Sequence, residues 1–240
     1  MVMIMFKSVA EGKSGNGIPF EKDRENQGRK LLRKYARRQE NLTLEADGLS
    51  EEEVCDLALG AELEDYCFDK YDNKPASSYP RLESITLRVG NPLAMRLAYE
   101  PYAALANAVR FARDLFNEPE SLYQTEQYFF EIKRLEYLGL YFKDLGEGLV
   151  MLEWKGAEDA EPVVLAATDR KAAAVGAGVM KAAALQKLPG QVRAYLKIEG
   201  ILNDFLIKNP IYIKQNLQND AAAAEELRRL YGIIREKHNA

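Results

Sequence analysis

Apolar positions recur at helical spacing over most of the chain and alternate with polar ones only near its middle. Leu31, Leu32, Tyr35 and Ala36 fall on one half of a helical wheel, and this spacing predicts a helix over residues 21–40. Ser50-Glu51-Glu52-Glu53 has the form of a capping box, with serine and glutamate placed to satisfy each other's backbone amides. It predicts a short helix buried through Val54, Leu57 and Ala58, with a second helical piece over 61–68. Residues 73–80 read as a loop, and Ser84–Val89 alternates as a strand does. Asn91-Pro92 has the form of a helix start, and Pro101 is expected to open a further helix to about residue 116. Another helix is expected over 120–138, stopped by Gly139.

The period then changes. Residues 140–143, 149–154 and 163–167 predict three short strands separated by glycine-containing turns. Helical spacing returns over 169–187, 191–208 and 221–237, broken at Pro189-Gly190 and Asn209-Pro210. The expected fold class is mainly α (α+β): a helical domain with a small antiparallel β-sheet or ribbon near the middle of the chain. Residues 1–45 are expected to form a basic arm or helix and 46–240 the globular domain, with a sub-boundary near 169. No internal repeat at a fixed period is visible.

Charge changes this picture at the amino-terminal end. Residues 1–40 carry ten Lys/Arg against five Asp/Glu, a balance of +5 that leaves −9 for the remainder of a chain of net charge −4. Arg29, Lys30, Arg33, Lys34, Arg37 and Arg38 form the polar half of the first helix. Such a face can track phosphates or meet an acidic protein. It can equally face solvent or the chain's own acidic stretch between Glu45 and Asp72, which holds eleven Asp/Glu and one lysine.

Composition bounds the chemistry. An apolar fraction of 47% and a charged fraction of 29% suit a globular protein of 240 residues, which can bury a core without disulfides. Cys55 and Cys67 are too few for a disulfide framework, and both read as buried thiols on helices. His238 is the only histidine, so neither a Ser-His-Asp device nor a zinc site of the usual kinds has its residues. No stretch reaches the roughly 20 apolar residues that span a bilayer, and the expected location is the cytoplasm. Gly12-Lys13-Ser14 has the tail of a phosphate loop but not its leading glycine or its helix. No cofactor or metal is expected.

Three further segments bear on binding. Tyr123, Tyr128 and Phe129 lie on one aromatic-rich helix whose circumference suits a partner surface. Ala174, Gly178 and Ala182 place small residues every four positions, which suits close packing in the core. The helix ending Ile132-Lys133-Arg134-Leu135-Glu136-Tyr137-Leu138, followed by a glycine-turned ribbon, resembles the recognition helix and wing of winged-helix domains across residues 120–156. Glu120, Glu126, Glu131 and Glu136 outnumber Lys133 and Arg134, so the resemblance implies docking on protein rather than in a DNA groove. The function expected from these readings is a non-catalytic adaptor or structural subunit of a multiprotein assembly, not an enzyme. The alternative is nucleic-acid binding through residues 22–38 and the winged-helix-like segment.

Overall fold

The computed structural model describes residues 3–8, 16–17, 23–35, 41–46, 48–71, 82–119, 122–157, 161–199, 210–215 and 217–239. The chain divides into two compact units, Met1–Ala106 and Asn107–Ala240.

The first unit is built on a parallel sheet. Its strands are β1 (Met3–Ser8), β2 (Asn16–Gly17), β3 (Asn41–Glu45) and β4 (Ser84–Val89), in the spatial order β1-β4-β3-β2. Phe6 and Leu44 stand on either side of Leu87 in the register. The central strand β4 is buried along nearly its whole length, and Leu87 is fully enclosed. That is the expected state of a parallel strand covered on both faces.

Two helices, α1 (Arg24–Tyr35) and α2 (Glu51–Glu64), pack against each other. The Ser50 capping box starts α2: the Ser50 hydroxyl accepts from the Glu53 N–H at 3.2 Å, and the Glu53 carboxylate accepts from the Ser50 N–H at 2.9 Å. Every residue of α2 from Val54 to Leu63 except Asp56 is buried. Gly28 and Gly60 let the two helix backbones approach closely: a β-carbon on Gly28 would meet the Leu57 carbonyl and lie 2.9 Å from the Ala61 nitrogen.

α3 (Pro92–Asn117) is one continuous helix through Pro101, not a new helix opened there. Asn91 caps it through the Ala94 N–H at 3.1 Å. Proline removes the bond that Leu97's carbonyl would accept, and Leu97 is exposed, so water can take that carbonyl.

The second unit holds α4 (Leu122–Lys133), a 3-10 turn (Arg134–Leu138), β5 (Tyr141–Gly146), β6 (Leu149–Trp154), β7 (Val163–Ala167), α5 (Arg170–Leu185), β8 (Val192–Lys197), β9 (Ile211–Tyr212) and α6 (Asp220–Asn239). The sheet order is β5-β6-β8-β7-β9. β6 pairs antiparallel with β5 and β8, while β7 pairs parallel with β8 and β9. Thus β7, α5 and β8 form a crossover between parallel neighbours. α5 is buried almost all round, and its glycines admit bulky neighbours: a β-carbon on Gly176 would meet the Leu196 side chain at 2.5 Å, and one on Gly178 the Ala112 side chain at 2.7 Å. The small-residue face is core packing.

The expected fold class is corrected by this architecture. The protein is an α/β structure with two substantial sheets, not a helical domain with one small antiparallel ribbon. Two causes account for the difference. β1 is a short, largely apolar run without alternation, and the alternation of β3 spans only the five residues Asn41–Glu45. β8 lies in the segment expected as helix 191–208; Val192, Ala194 and Leu196 point into the core at period two, but Tyr195 and Ile198 supply apolar residues at helical spacing as well. The ribbon expected as a wing is the β5–β6 edge of the five-stranded sheet, which removes the winged-helix resemblance. Among the described residues no helix is long and apolar enough to cross a membrane. Cys55 is buried as expected, whereas Cys67 lies beyond the end of α2 and is exposed.

Candidate functional site

The β5–β6 turn in the second unit has an unusual backbone. Gly146, Glu147 and Gly148 all have positive φ, at 85°, 51° and 68°. Glu147 is the costly one, because a side chain disfavours this region. Two contacts hold it there. Its carbonyl accepts from the buried Lys197 ammonium, and the next carbonyl, of Gly148, accepts from the Ile198 N–H at 2.8 Å. Glycine is required at 148 twice over, since a β-carbon would sit 2.5 Å from that of Glu199. Before the turn, the Asp144 carboxylate accepts from the Gly146 N–H at 2.8 Å, where the β5–β6 register shifts. The turn is thereby stitched to the carboxyl end of β8.

A cavity of about 480 Å³ opens between this turn, α4 and the end of β8. Its apolar lining is Phe129, Phe130 and Ile198. The Phe129 ring meets Phe142 edge-on at 5.3 Å and Phe130 at 6.3 Å. Ile198 is buried, while Phe130 is 56% exposed. Among the described residues the polar lining consists of Glu126, Asp144, Glu147 and Glu199 with the turn glycines, and no lysine or arginine lines it. Ligand pockets typically run from about 300 to 1,000 Å³ and combine apolar walls with few polar groups. In open α/β sheets they lie outside the carboxyl ends of strands. This cavity has that size, lining and place.

Tyr128 positions α4 for it. Its hydroxyl donates to the Arg170 carbonyl at 2.7 Å, and the Arg170 guanidinium lies 4.5 Å over its ring. Burial holds the phenol far above its usual range. Of the aromatic residues singled out from sequence, Phe129 therefore forms a cavity wall and Tyr128 an anchor behind it. Tyr123 belongs to α4, but its side chain is outside the described residues.

The basic face of α1 lies in the other unit and takes no part in the cavity. Arg29 pairs with Glu25 at 2.9 Å. Arg33 makes a two-pronged bridge to Glu64 of α2, at 2.5 and 3.0 Å. That hydrogen bond, with the Glu64 charge, raises the arginine further above its ordinary value. The Lys34 ammonium lies 5.1 Å from the Tyr35 ring centre, and Lys30 is exposed. Arg37 and Arg38 lie outside the described residues, as do residues 12–14 and 73–80.

Sequence reasoning missed most of the cavity. The sequence presents Asp144 and Glu147 only as members of a turn, and the helical spacing over 191–208 takes in Glu199. The available signal was two acids in a glycine-flanked turn beside an aromatic helix. Nothing in the sequence placed Glu199 opposite them, because that follows from the pairing of β6 with β8.

No protein-family model matches the sequence. Similarity to curated proteins is clear nonetheless. The chain is 33% identical to a probable cytosol aminopeptidase of Caulobacter vibrioides over 48% of its own length and 29% of that protein's. It is 26% identical to the probable cytosol aminopeptidase of Methylorubrum populi over 78% of its own length and 44% of the relative's. The chain thus spans less than half the length of either relative. Among solved structures, a tomato leucine aminopeptidase variant superposes on the whole chain and 72% of its own, with a TM-score of 0.62 at 10% identity. The bottromycin maturation enzyme BotP in complex with Mn covers 72% of this chain and 46% of its own, with a TM-score of 0.55 at 19% identity. The last two likenesses define the fold: it is the α/β fold of these enzymes.

These relatives overturn the expected adaptor and the expectation that the chain is not an enzyme, since the similar proteins are named as peptidases. Nothing among them favours nucleic-acid binding, and the expected role of residues 22–38 and 120–156 in it is withdrawn. The four cavity carboxylates do not fit a metal centre: among the described residues no three of His, Cys, Asp and Glu converge to hold an ion.

Proposed function

We propose that this chain is an aminopeptidase-related protein of the cytoplasm that engages peptides at their amino-terminal end. The observation carrying this reading is the similarity to curated cytosol aminopeptidases, which reaches 78% of the chain's length. The cavity at the carboxyl end of β8 supports it. Carboxylates beside aromatic walls are the chemistry that receives an ammonium group carried next to an apolar side chain.

The test is a panel of tripeptides differing in their first residue, each with a free and an N-acetylated amino terminus. Mass spectrometry reads release of the first residue, with and without added divalent metal, and calorimetry reads binding. Free-amine peptides are expected to be trimmed or bound in preference to their acetylated counterparts. Equal treatment of the two forms, or no engagement of either, overturns the reading.

A further inference from the structure

The amino-terminal half of α3 has two faces of different fate. One buries Met95 and Tyr99 in the core of the first unit. At helical spacing the other presents Leu93 and Leu97, which are 68% and 60% exposed among the described residues. A single exposed leucine is ordinary. Two on successive turns of one face form an apolar seam on which another helix can pack. Pro101 continues the exposed side, and the half-buried Ala104 follows it with a side chain too small to obstruct a neighbour.

Charge borders this seam along one flank. Arg96 and Glu100 are both exposed and stand one turn apart beside the leucines. Among the described residues neither side chain makes an ion pair or a hydrogen bond. Arginine four positions before glutamate is the weaker order for pairing within one helix. Between two helices running in opposite directions that handicap disappears. A two-fold axis across the seam, midway between Arg96 and Glu100, sets each arginine against the second copy's glutamate. The same operation keeps the apolar flank on its own side. It brings Leu97 beside Leu97 of the second copy and Leu93 over the small Ala104. A two-fold contact requires a surface complementary to itself, and this face is so in both shape and charge.

We propose that the exposed face of α3 is where two copies of this chain associate, antiparallel, with Leu97 at the centre and reciprocal Arg96–Glu100 pairs along one flank. A second copy is the occupant that supplies both charges at the spacing the face requires.

Sedimentation equilibrium of the full chain tests this. So short a seam buries far less than the roughly 1,600 Å² of a standard interface, so the concentrations should run from about 10 µM to about 1 mM. Wild type is expected to be a reversible dimer at the upper end. L97E, which sets a charge at the centre of the seam, should weaken association by about tenfold or more. R96E leaves acids at both flanking positions and E100R leaves bases at both, so each alone should weaken association as well. Mixed in equal amounts, these two should recover the wild-type affinity, because every contact between unlike copies then joins opposite charges. All three substitutions lie at exposed side chains, and melting curves check that each variant remains folded. A wild type that stays monomeric throughout overturns the proposal. A dimer indifferent to L97E, or a mixture that associates no more tightly than its components, overturns it too, because association then uses another face.

Discussion

Gly28 of α1 and Gly60 of α2 are reciprocal contacts: a β-carbon on Gly28 would strike the Leu57 carbonyl, and one on Gly60 would strike that of Glu25 and lie 2.7 Å from its carbonyl carbon. Each glycine lies against backbone of the other helix, which cannot swing aside as a side chain can. Arg24 tightens the same crossing, bonding Glu53 at 3.1 Å and Gln27 at 2.8 Å.

Gly28→Ala should therefore destabilise the first unit by about 3 kcal/mol, the upper part of the usual overpacking range. This outweighs the roughly 1 kcal/mol that alanine gains from helix propensity. Urea unfolding measures it, and a change below about 0.5 kcal/mol would show that the helices can part freely.

In the second unit, Glu226 of α6 is nearly buried and accepts from the Lys214 N–H at 3.1 Å and from Arg229 at 2.7 and 2.8 Å. Burial alone would raise its carboxyl; the Arg229 guanidinium and the Lys214 amide outweigh that and hold it below the ordinary 4.5. A depressed acid contributes stability that is present above 4.5 and lost as pH falls through the folded value. Thermal melts from pH 6 to pH 3 should show this loss, and Glu226→Gln should flatten it. A variant with the wild-type slope would mean that other carboxylates carry the acid sensitivity.

The two thiols should react very differently. Cys55 is enclosed in α2, and its burial, followed by the charges of Asp56 and Glu51, pushes the thiol up to about 11. At pH 8 it is almost wholly protonated, and the thiolate is the reactive form. A disulfide exchange reagent should modify Cys67 promptly in the native protein and Cys55 only after unfolding. Two fast equivalents would contradict the packing of α2.

Removing the hydroxyl in Tyr128→Phe should cost about 1 kcal/mol, since it leaves the Arg170 carbonyl without this donor. It should also loosen α4 and lower peptide affinity without altering any cavity carboxylate. Calorimetry and melting together separate this indirect effect from a wholly structural one: stability falling with affinity unchanged would show that α4 does not need the anchor.

Legibility from sequence followed the range of the interactions. The Ser50 capping box, the strand Ser84–Val89 and the β5–β6 turn are local arrangements, and each was readable from neighbouring residues. The Gly139 stop was too, with its φ of 86°. By contrast β1 is a strand because Met3 to Ser8 lie along Ser84 to Val89, a pairing across some eighty positions. β8 was misread because a strand between two partners can carry apolar residues on both faces. The cavity inherits both limits. Phe129 stands out in the sequence through its local aromatic cluster, whereas Glu199 joins the cavity lining only through the register that sets Leu149 beside Lys197.

The register shift between Asp144 and Gly146 also bears on how the molecule behaves at high concentration. β5 ends the order of its sheet, and most of its residues are exposed, including Tyr141 and Leu145. An open, regular strand of that kind is a template for pairing with a second chain. The irregularity twists the strand near its end, and the charges of Lys143 and Asp144 interrupt its apolar positions. The same irregularity at which Asp144 accepts from the Gly146 N–H thus guards the sheet against aggregation.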